Sequence, residues 1–227
     1  MKYGVIDIGS NSVRLMISDD GKTITKLVKT TRLAEKMGDD CILQDQPIER
    51  TAKAVSFFVD QAKGFNVQKT YIFATAAVRQ AKNKIKFLDR VKQLSGLEVD
   101  VIDGQTEASL GVLGAVNNNG GIIDVGGASS EVMVVSNNKP IFSKSLDIGA
   151  VKITDKFGQD KQNILEFIDK KIEQYGVIPE TNFYGIGGTA TTLASISQRL
   201  KVYDPNLVHG YTINIDKIKE IRDMLFS

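Results

Sequence analysis

The sequence predicts an α/β protein built as two similar halves. Three observations carry that prediction. Strand-like apolar runs alternate with amphipathic helical stretches along the chain. The segment IDIGSNSVRLMI, from Ile6, is echoed by IDVGGASSEVMV, from Ile123, with five of twelve positions identical. Between them NNNGG, at residues 117–121, is a polar and flexible joint before a new apolar strand. The halves are therefore placed at residues 1–117 and 118–227.

The elements follow in order. YGVIDIG reads as a buried strand, VRLMIS as a second, DDGK as a turn and TITKLVKT as an alternating third, which together make a β-meander. Ile48, Ala52, Val55, Val59 and Ala62 recur at helical spacing, and Gly64 ends that helix. TYIFAT is a strand. Ile85, Leu88, Val91 and Leu94 mark a second amphipathic helix closed by Gly96, LEVDVI is a strand, and QTEASLGVLGAV is a short helix. After the joint the pattern restarts: GIIDVGG is a strand into a turn, SEVMVVS a strand, NNKP a turn and IFSKSLDIG a strand. Ile164, Leu165, Ile168, Ile172 and Tyr175 form one helix face. NFYGIGG is a strand, TATTLASISQRL a helix, GYTINI a last strand, and Ile218, Ile221 and Leu225 begin a final helix.

The bulk composition narrows the function classes. With 227 residues, 42% apolar and 25% charged, the chain can bury a sizeable core. A formal charge of +2 advertises no overall field for nucleic acid or membrane. Local basic runs exist, at Lys22, Lys26, Lys29, Arg32 and Lys36, and again from Arg79 to Lys92. They suit solvated faces and an anion-attracting cleft about equally. Cys41 is the only cysteine, so no intrachain disulfide forms, and a reducing, cytoplasmic setting is expected. Asp7 breaks the apolar run a signal peptide would need, and no run approaches the ~20 residues of a membrane span. A Cys/His zinc site is excluded by the inventory, whereas plentiful oxygen ligands point to magnesium if any metal binds.

The repeated bends offer a good cradle for a polyanion. Small residues such as Gly9, Gly126, Gly127 and Ala128 let backbone N–H groups approach phosphate oxygens. Ser10, Asn11, Ser12, Ser129 and Ser130 add side-chain donors. Asp7 and Asp124 sit at strand ends, where a carboxylate reaches a magnesium ion or its waters; taken singly, each suits a turn-capping role better. Seven residues past each aspartate stand Arg14 in the first half and Glu131 in the second. An electrostatic division follows, with Arg14 on the phosphate and Glu131 on the metal side. A third glycine-rich loop, GIGGTATT, places Gly187, Gly188 and Thr189 between a strand and a helix, where Thr189 can cap the helix and its first N–H groups favour an anion. GIGGTA also fits the dinucleotide-binding pattern, but too little chain follows to complete that fold. Glu107, at a helix start, can orient or deprotonate a water or serve as an ordinary first-turn acid. Arg79 follows a strand end and, like Arg32, has the bidentate fork that suits phosphate.

The ordered segments GVIDIGSNSVRLMI, TRLAEKM, FATAAVRQAKN, GQTEASLGVLGAV, IIDVGGASSEV and GIGGTATTLASI resemble the motifs of the exopolyphosphatase / guanosine pentaphosphate phosphohydrolase family. SLDIGAVKIT and VHGYTI are similar to two further family segments, so the resemblance covers nearly the whole chain. It implies two actin-like (ribonuclease H-like) subdomains with an interdomain cleft, the second incomplete at its C-terminus. It implies Glu107 as activator of the attacking water, and Asp124 and Glu131 as the acids on the Mg2+ side. Arg79 falls on the arginine of the A-x-R segment. Asp7, Ser10, Asn11, Ser12 and Arg14 fall on the first phosphate loop, and Gly126, Gly127, Ala128, Ser129 and Ser130 on the second. Thr106 replaces a family acid, and Ala128 replaces a glycine, which would be strained if that position required a positive φ.

The activity these readings imply is release of terminal phosphate from inorganic polyphosphate or guanosine pentaphosphate. The expected partner is that polyphosphate or guanosine alarmone substrate, with a homodimer as a candidate assembly and neither nucleic acid nor membrane. Two alternatives stay open: an actin-like ATPase or sugar kinase, and a non-catalytic polyphosphate or alarmone sensor.

Overall fold

The computed structural model describes residues 1–226, arranged in two compact units. Unit 1 holds Met1–Glu107 together with Gly127–Ser129 and Asp147–Gly158. Unit 2 holds Ala108–Gly126, Ser130–Leu146 and the chain from Gln159 onward. This division differs from the expected 1–117 and 118–227 halves. Short stretches of the second half pack with the first, which a linear reading of composition cannot show.

In unit 1, β1 (Lys2–Ile8), β2 (Ser12–Asp19) and β3 (Lys22–Thr30) form the predicted meander. β4 (Lys69–Ala74) and β5 (Asp100–Val101) join parallel, giving the order β3-β2-β1-β4-β5. β1 alternates in burial, with Ile6 and Ile8 inside. The long helix α1 (Asp45–Gly64) buries Ile48, Ala52, Val55, Val59 and Ala62, the predicted stripe, and adds Phe58. Gly4 lets α1 close on the sheet, since a Cβ there would stand 3.2 Å from the Ala62 Cβ. After the short α2 (Ala76–Gln80), helix α3 (Lys84–Ser95) is closed by Gly96 in the left-handed region, as expected of a helix-terminating glycine. Of its predicted stripe Val91 is buried and Leu88 and Leu94 pack partly buried against the core, Phe87 joins them, and Ile85 is 61% exposed. LEVDVI pairs over two residues only.

Helix α4 (Gly104–Ala115) leads into unit 2. There β6 (Gly120–Val125), β7 (Ser130–Ser136) and β8 (Lys139–Leu146) repeat the meander, and β9 (Phe183–Ile186) adds parallel to β6. The order is β8-β7-β6-β9. The internal repeat extends to the register. Asp7 faces Arg14 across β1–β2, and Asp124 faces Glu131 at the matching position of β6–β7. The register shift in each second hairpin also falls at matching residues, Ile17/Ser18 and Val134/Val135. The unit 2 core is small, with Ala108, Val112, Val116, Ile122, Met133 and Val135.

Helix α5 (Ala150–Phe157) belongs to unit 1 and was not foreseen. Unit 2 continues with α6 (Lys161–Ile172), a 3-10 turn at Glu173–Tyr175, α7 (Gly187–Ser197), the unforeseen short α8 (Pro205–Val208) and α9 (Ile215–Phe226). GYTINI is not a strand: its alternation of apolar and polar residues is real, but among the described residues no strand pairs with it. None of the described helices is long and apolar enough to cross a membrane.

Candidate functional site

In unit 1 the parallel strands end side by side, with Ile8 beside Ala74 and Ala74 beside Val101. Ligands of α/β sheets gather at such carboxyl ends. Three chain segments leave from this edge. The β1–β2 bend carries Gly9, Ser10 and Asn11, and Gly9 N–H donates to the Ser12 carbonyl at 3.0 Å. Helix α2, after β4, carries Arg79. The start of α4, after β5, carries Glu107, whose backbone N–H bonds to the Asp103 carbonyl. Arg79 Nη1 donates to Glu107 Oε2 at 3.1 Å and to the Ile102 carbonyl at 2.9 Å. Both side chains are mostly shielded, at 23% and 21% exposure, so the pair holds its geometry while still meeting solvent.

The first bend is closed from behind by the chain leaving β3. Thr31 and Arg32 N–H groups donate to the Asn11 carbonyl at 3.0 and 2.8 Å, and Ala34 N–H to the Ser10 carbonyl at 3.0 Å. Arg32 takes a positive φ of 49° in doing so. The tip of the second hairpin packs in the same unit. A Cβ on Gly127 would lie 2.9 Å from the Ser10 Cβ and 3.1 Å from Val151, so only glycine fits. Ala128 and Ser129 are buried. Ala128 is not in the left-handed region, so its departure from the family glycine carries no strain. The chain leaving β8 then repeats the closure, with Val151 and Lys152 N–H groups donating to the Gly127 carbonyl at 2.9 and 3.1 Å.

Asp7 and Arg14 sit on the approach to the first bend, with Arg14 Nη1 3.5 Å from Asp7 Oδ2. Burial pushes the Asp7 carboxyl above its ordinary value, and the Arg14 charge offsets this only in part. The folded state thus binds the Asp7 proton more tightly than the unfolded chain does. Any stabilisation from that proton is complete below the ordinary carboxylate value and is lost as pH rises through the raised one. Asp7→Asn removes this dependence. The melting temperature of Asp7→Asn relative to wild type is therefore expected to climb as pH rises from about 4 toward neutrality. Calorimetric melts across that range check it, and a flat difference refutes it.

Unit 2 presents a different group. Asp124 and Glu131 are cross-strand partners, so their carboxylates leave the same face of the sheet. Glu131 is 2% exposed and accepts a bond from Ser145 Oγ at 2.7 Å. The first residue of α7, Gly187, with φ of 81°, lies against the Asp124 carboxylate; a Cβ there would collide with Oδ1. Thr189 does not cap α7. Its hydroxyl donates to the Val125 carbonyl at 2.6 Å and so ties α7 to the end of β6. Ser130 is buried and engaged with Tyr175, whose hydroxyl lies 2.8 Å from both the Ser130 Oγ and its carbonyl oxygen. Gly126 and Gly188 flank this group at the ends of β6 and β9.

Unit 1 accordingly gathers Asp7, Gly9, Ser10, Asn11, Ser12, Arg14, Arg32, Arg79, Glu107, Gly127, Ala128 and Ser129, and unit 2 gathers Asp124, Gly126, Ser130, Glu131, Gly187, Gly188 and Thr189. Sequence reasoning missed the polar anchors of α5, where Lys36 N–H donates to Asp155 at 2.7 Å and Lys156 pairs with Asp39 at 2.9 Å. SLDIGAVKIT was visible as a segment, but nothing in it shows such distant partners.

A meander extended by a parallel crossover strand, used twice with matching bends, defines an actin-like α/β protein. The chain belongs to the Ppx/GppA phosphatase family, whose sequence model matches residues 6–227. The Aquifex aeolicus Ppx/GppA enzyme is 34% identical in a superposition covering all of this chain and 80% of that one, with a TM-score of 0.76. The guanosine-5′-triphosphate,3′-diphosphate pyrophosphatase of Photobacterium profundum is 29% identical over 86% of this chain and 43% of its own length. A bifunctional 3-dehydroquinate synthase/phosphatase of Fusobacterium nucleatum is 28% identical over 97% of this chain and 37% of its own. The chain thus spans about two fifths of the length of the curated relatives it matches.

Proposed function

We propose that this chain carries the catalytic machinery of a phosphoanhydride hydrolase that releases terminal phosphate from polyphosphate or guanosine pentaphosphate. The observation that carries the reading is the Arg79–Glu107 pair, held at 3.1 Å beside the first bend at the carboxyl ends of β1, β4 and β5. Family membership over nearly the whole chain supports it.

In this reading Ser10, Asn11, Ser12 and Arg14 hold the phosphate chain on one side, and Gly127, Ala128 and Ser129 present backbone N–H groups on the other. Arg79 neutralises charge on the terminal phosphoryl group. Glu107 accepts a proton from water as the water oxygen bonds to the terminal phosphorus and the bridging P–O bond breaks, and the shortened chain leaves with that oxygen. Phosphoryl transfer relies chiefly on such positioning and charge stabilisation.

Asp124 and Glu131 suit a divalent cation. Two carboxylates directly opposed on one sheet face repel each other, and the first repeat relieves the equivalent position with Arg14. No cluster of three or more His, Cys, Asp or Glu suited to a metal forms among the described residues. Magnesium needs only one or two protein carboxylates and completes its shell with water and phosphate oxygens. When bound, Mg2+ would supply charge neutralisation on the phosphates.

Phosphate release from polyphosphate and from guanosine pentaphosphate, each with and without magnesium, tests the reading. Release from either one, dependent on Mg2+, is the expected result. Binding without release would assign a sensor, and turnover only with ATP and a sugar acceptor would assign a kinase.

A further inference from the structure

The two bends are closed by equivalent bonds, from Ala34 N–H to the Ser10 carbonyl and from Val151 N–H to the Gly127 carbonyl. The residue after each of these donors is charged and differs between the repeats. In the first it is Glu35, whose carboxylate pairs with Arg50 at 2.6 Å, while Arg50 Nε also donates to the Thr31 carbonyl at 2.6 Å. The first closure is thus pinned to α1. In the second it is Lys152. Its backbone N–H donates to the Gly127 carbonyl, and its ammonium donates to Gln80 Oε1 at 2.6 Å and to Asp147 Oδ1. The ammonium side chain is 19% exposed, while Asp147 is 57% exposed. Gln80 is the last residue of α2 and directly follows Arg79.

We propose that Lys152 is a positioning residue that fixes the second bend to α2, and thereby sets the Gly127–Ser129 backbone relative to Arg79 and Glu107. One residue holds both parts, by its main chain at the bend and by its side chain at α2. Helix α5 has no fully buried residue and the neighbouring Val151 packs only partly buried against the unit 1 core, so this polar tie supplements a small apolar contact. A lysine ammonium suits this place because both acceptors are oxygens, one of them a carboxylate, and its three donors reach both. Arginine also carries five donors and reaches similar partners, whereas methionine keeps the length and loses the charge.

The inference rests on the hydrolase reading only for its kinetic part. Lys152→Met is expected to lower kcat ~10–100-fold with KM changed less than about threefold, since a bend misplaced by about an ångström costs such factors. Lys152→Arg is expected to recover most of the loss. Amide hydrogen exchange, measured without substrate on the same proteins, should show faster exchange at residues 127–130 and 76–80 in Lys152→Met and wild-type exchange in Lys152→Arg. Gln80→Ala should speed exchange at the bend as well, and the Gln80→Ala, Lys152→Met double variant should add little to Lys152→Met, as expected of two residues in one contact. Unchanged exchange in Lys152→Met, or strictly additive effects of the two substitutions, overturns the proposal whatever the turnover. Faster exchange in Lys152→Met, together with a wild-type protein that releases no phosphate, overturns the hydrolase reading and leaves the tie standing.

Discussion

Glu107→Gln is expected to bind polyphosphate as the wild type does and to lose ~10²–10⁴-fold in phosphate release, the usual scale for general acid–base assistance. The substitution is almost isosteric. A carboxamide oxygen still accepts from Arg79 Nη1, which Ile102 also holds, so α2 and the start of α4 keep their relation. What is lost is a group able to take a proton from water. Single-turnover phosphate release and a separate binding measurement resolve the two effects. Turnover within about threefold of wild type would remove Glu107 from the mechanism, and weakened binding of the same size as the rate loss would make it a binding residue instead.

The second large effect is expected from Gly149→Ala. Gly149 has φ of −161° and ψ of 162°, an extended conformation any residue adopts, so backbone strain is not the issue. Space is. A Cβ at Gly149 would stand 2.5 Å from the Ala128 nitrogen and 2.6 Å from the Gly127 oxygen, closer still to the Gly127 carbonyl carbon. These are backbone atoms, which cannot rotate aside. Either the Gly127–Ser129 tip moves or α5 leaves it, and the Val151 and Lys152 bonds to the Gly127 carbonyl go with it. Overpacking of this kind costs about 1–3 kcal/mol, and each lost hydrogen bond about 0.5–1.5 kcal/mol more. The chemical-denaturation midpoint and phosphate release should both fall. Gly114→Ala is the control: a Cβ there meets nothing within 4 Å, and it lies in α4, so stability should hold or rise by about 0.4–1 kcal/mol. Equal stability of the two variants would refute the packing argument.

Much of this was legible in the sequence because it is written in periodicity and repetition. The apolar stripe from Ile48 to Ala62 could be buried in one way only, and α1 buries it. Setting Ile6 against Ile123 already paired Asp7 with Asp124 and Arg14 with Glu131, and the sheet registers place those pairs at matching positions. What escaped has a common physical cause. Helix α5 is only two turns long and its apolar Val151 is just partly buried against the core, while much of its docking uses ion pairs and hydrogen bonds with residues far away in the chain. The Thr189 hydroxyl had a local role available as a cap and took a distant carbonyl instead. GYTINI alternates as strands do, yet alternation reports only that one face is apolar, not that a partner lies alongside.

Among the described residues the unit 2 sheet ends at β9, which bonds within its sheet to β6 on one side alone. Its residues, Phe183–Ile186, include neither lysine nor proline, and Phe183 and Tyr184 are 38% and 48% exposed. Such an edge lacks the usual guards against strand-to-strand recruitment. Concentrated solutions should therefore scatter light increasingly with time, and a lysine in place of Tyr184 should delay that clouding.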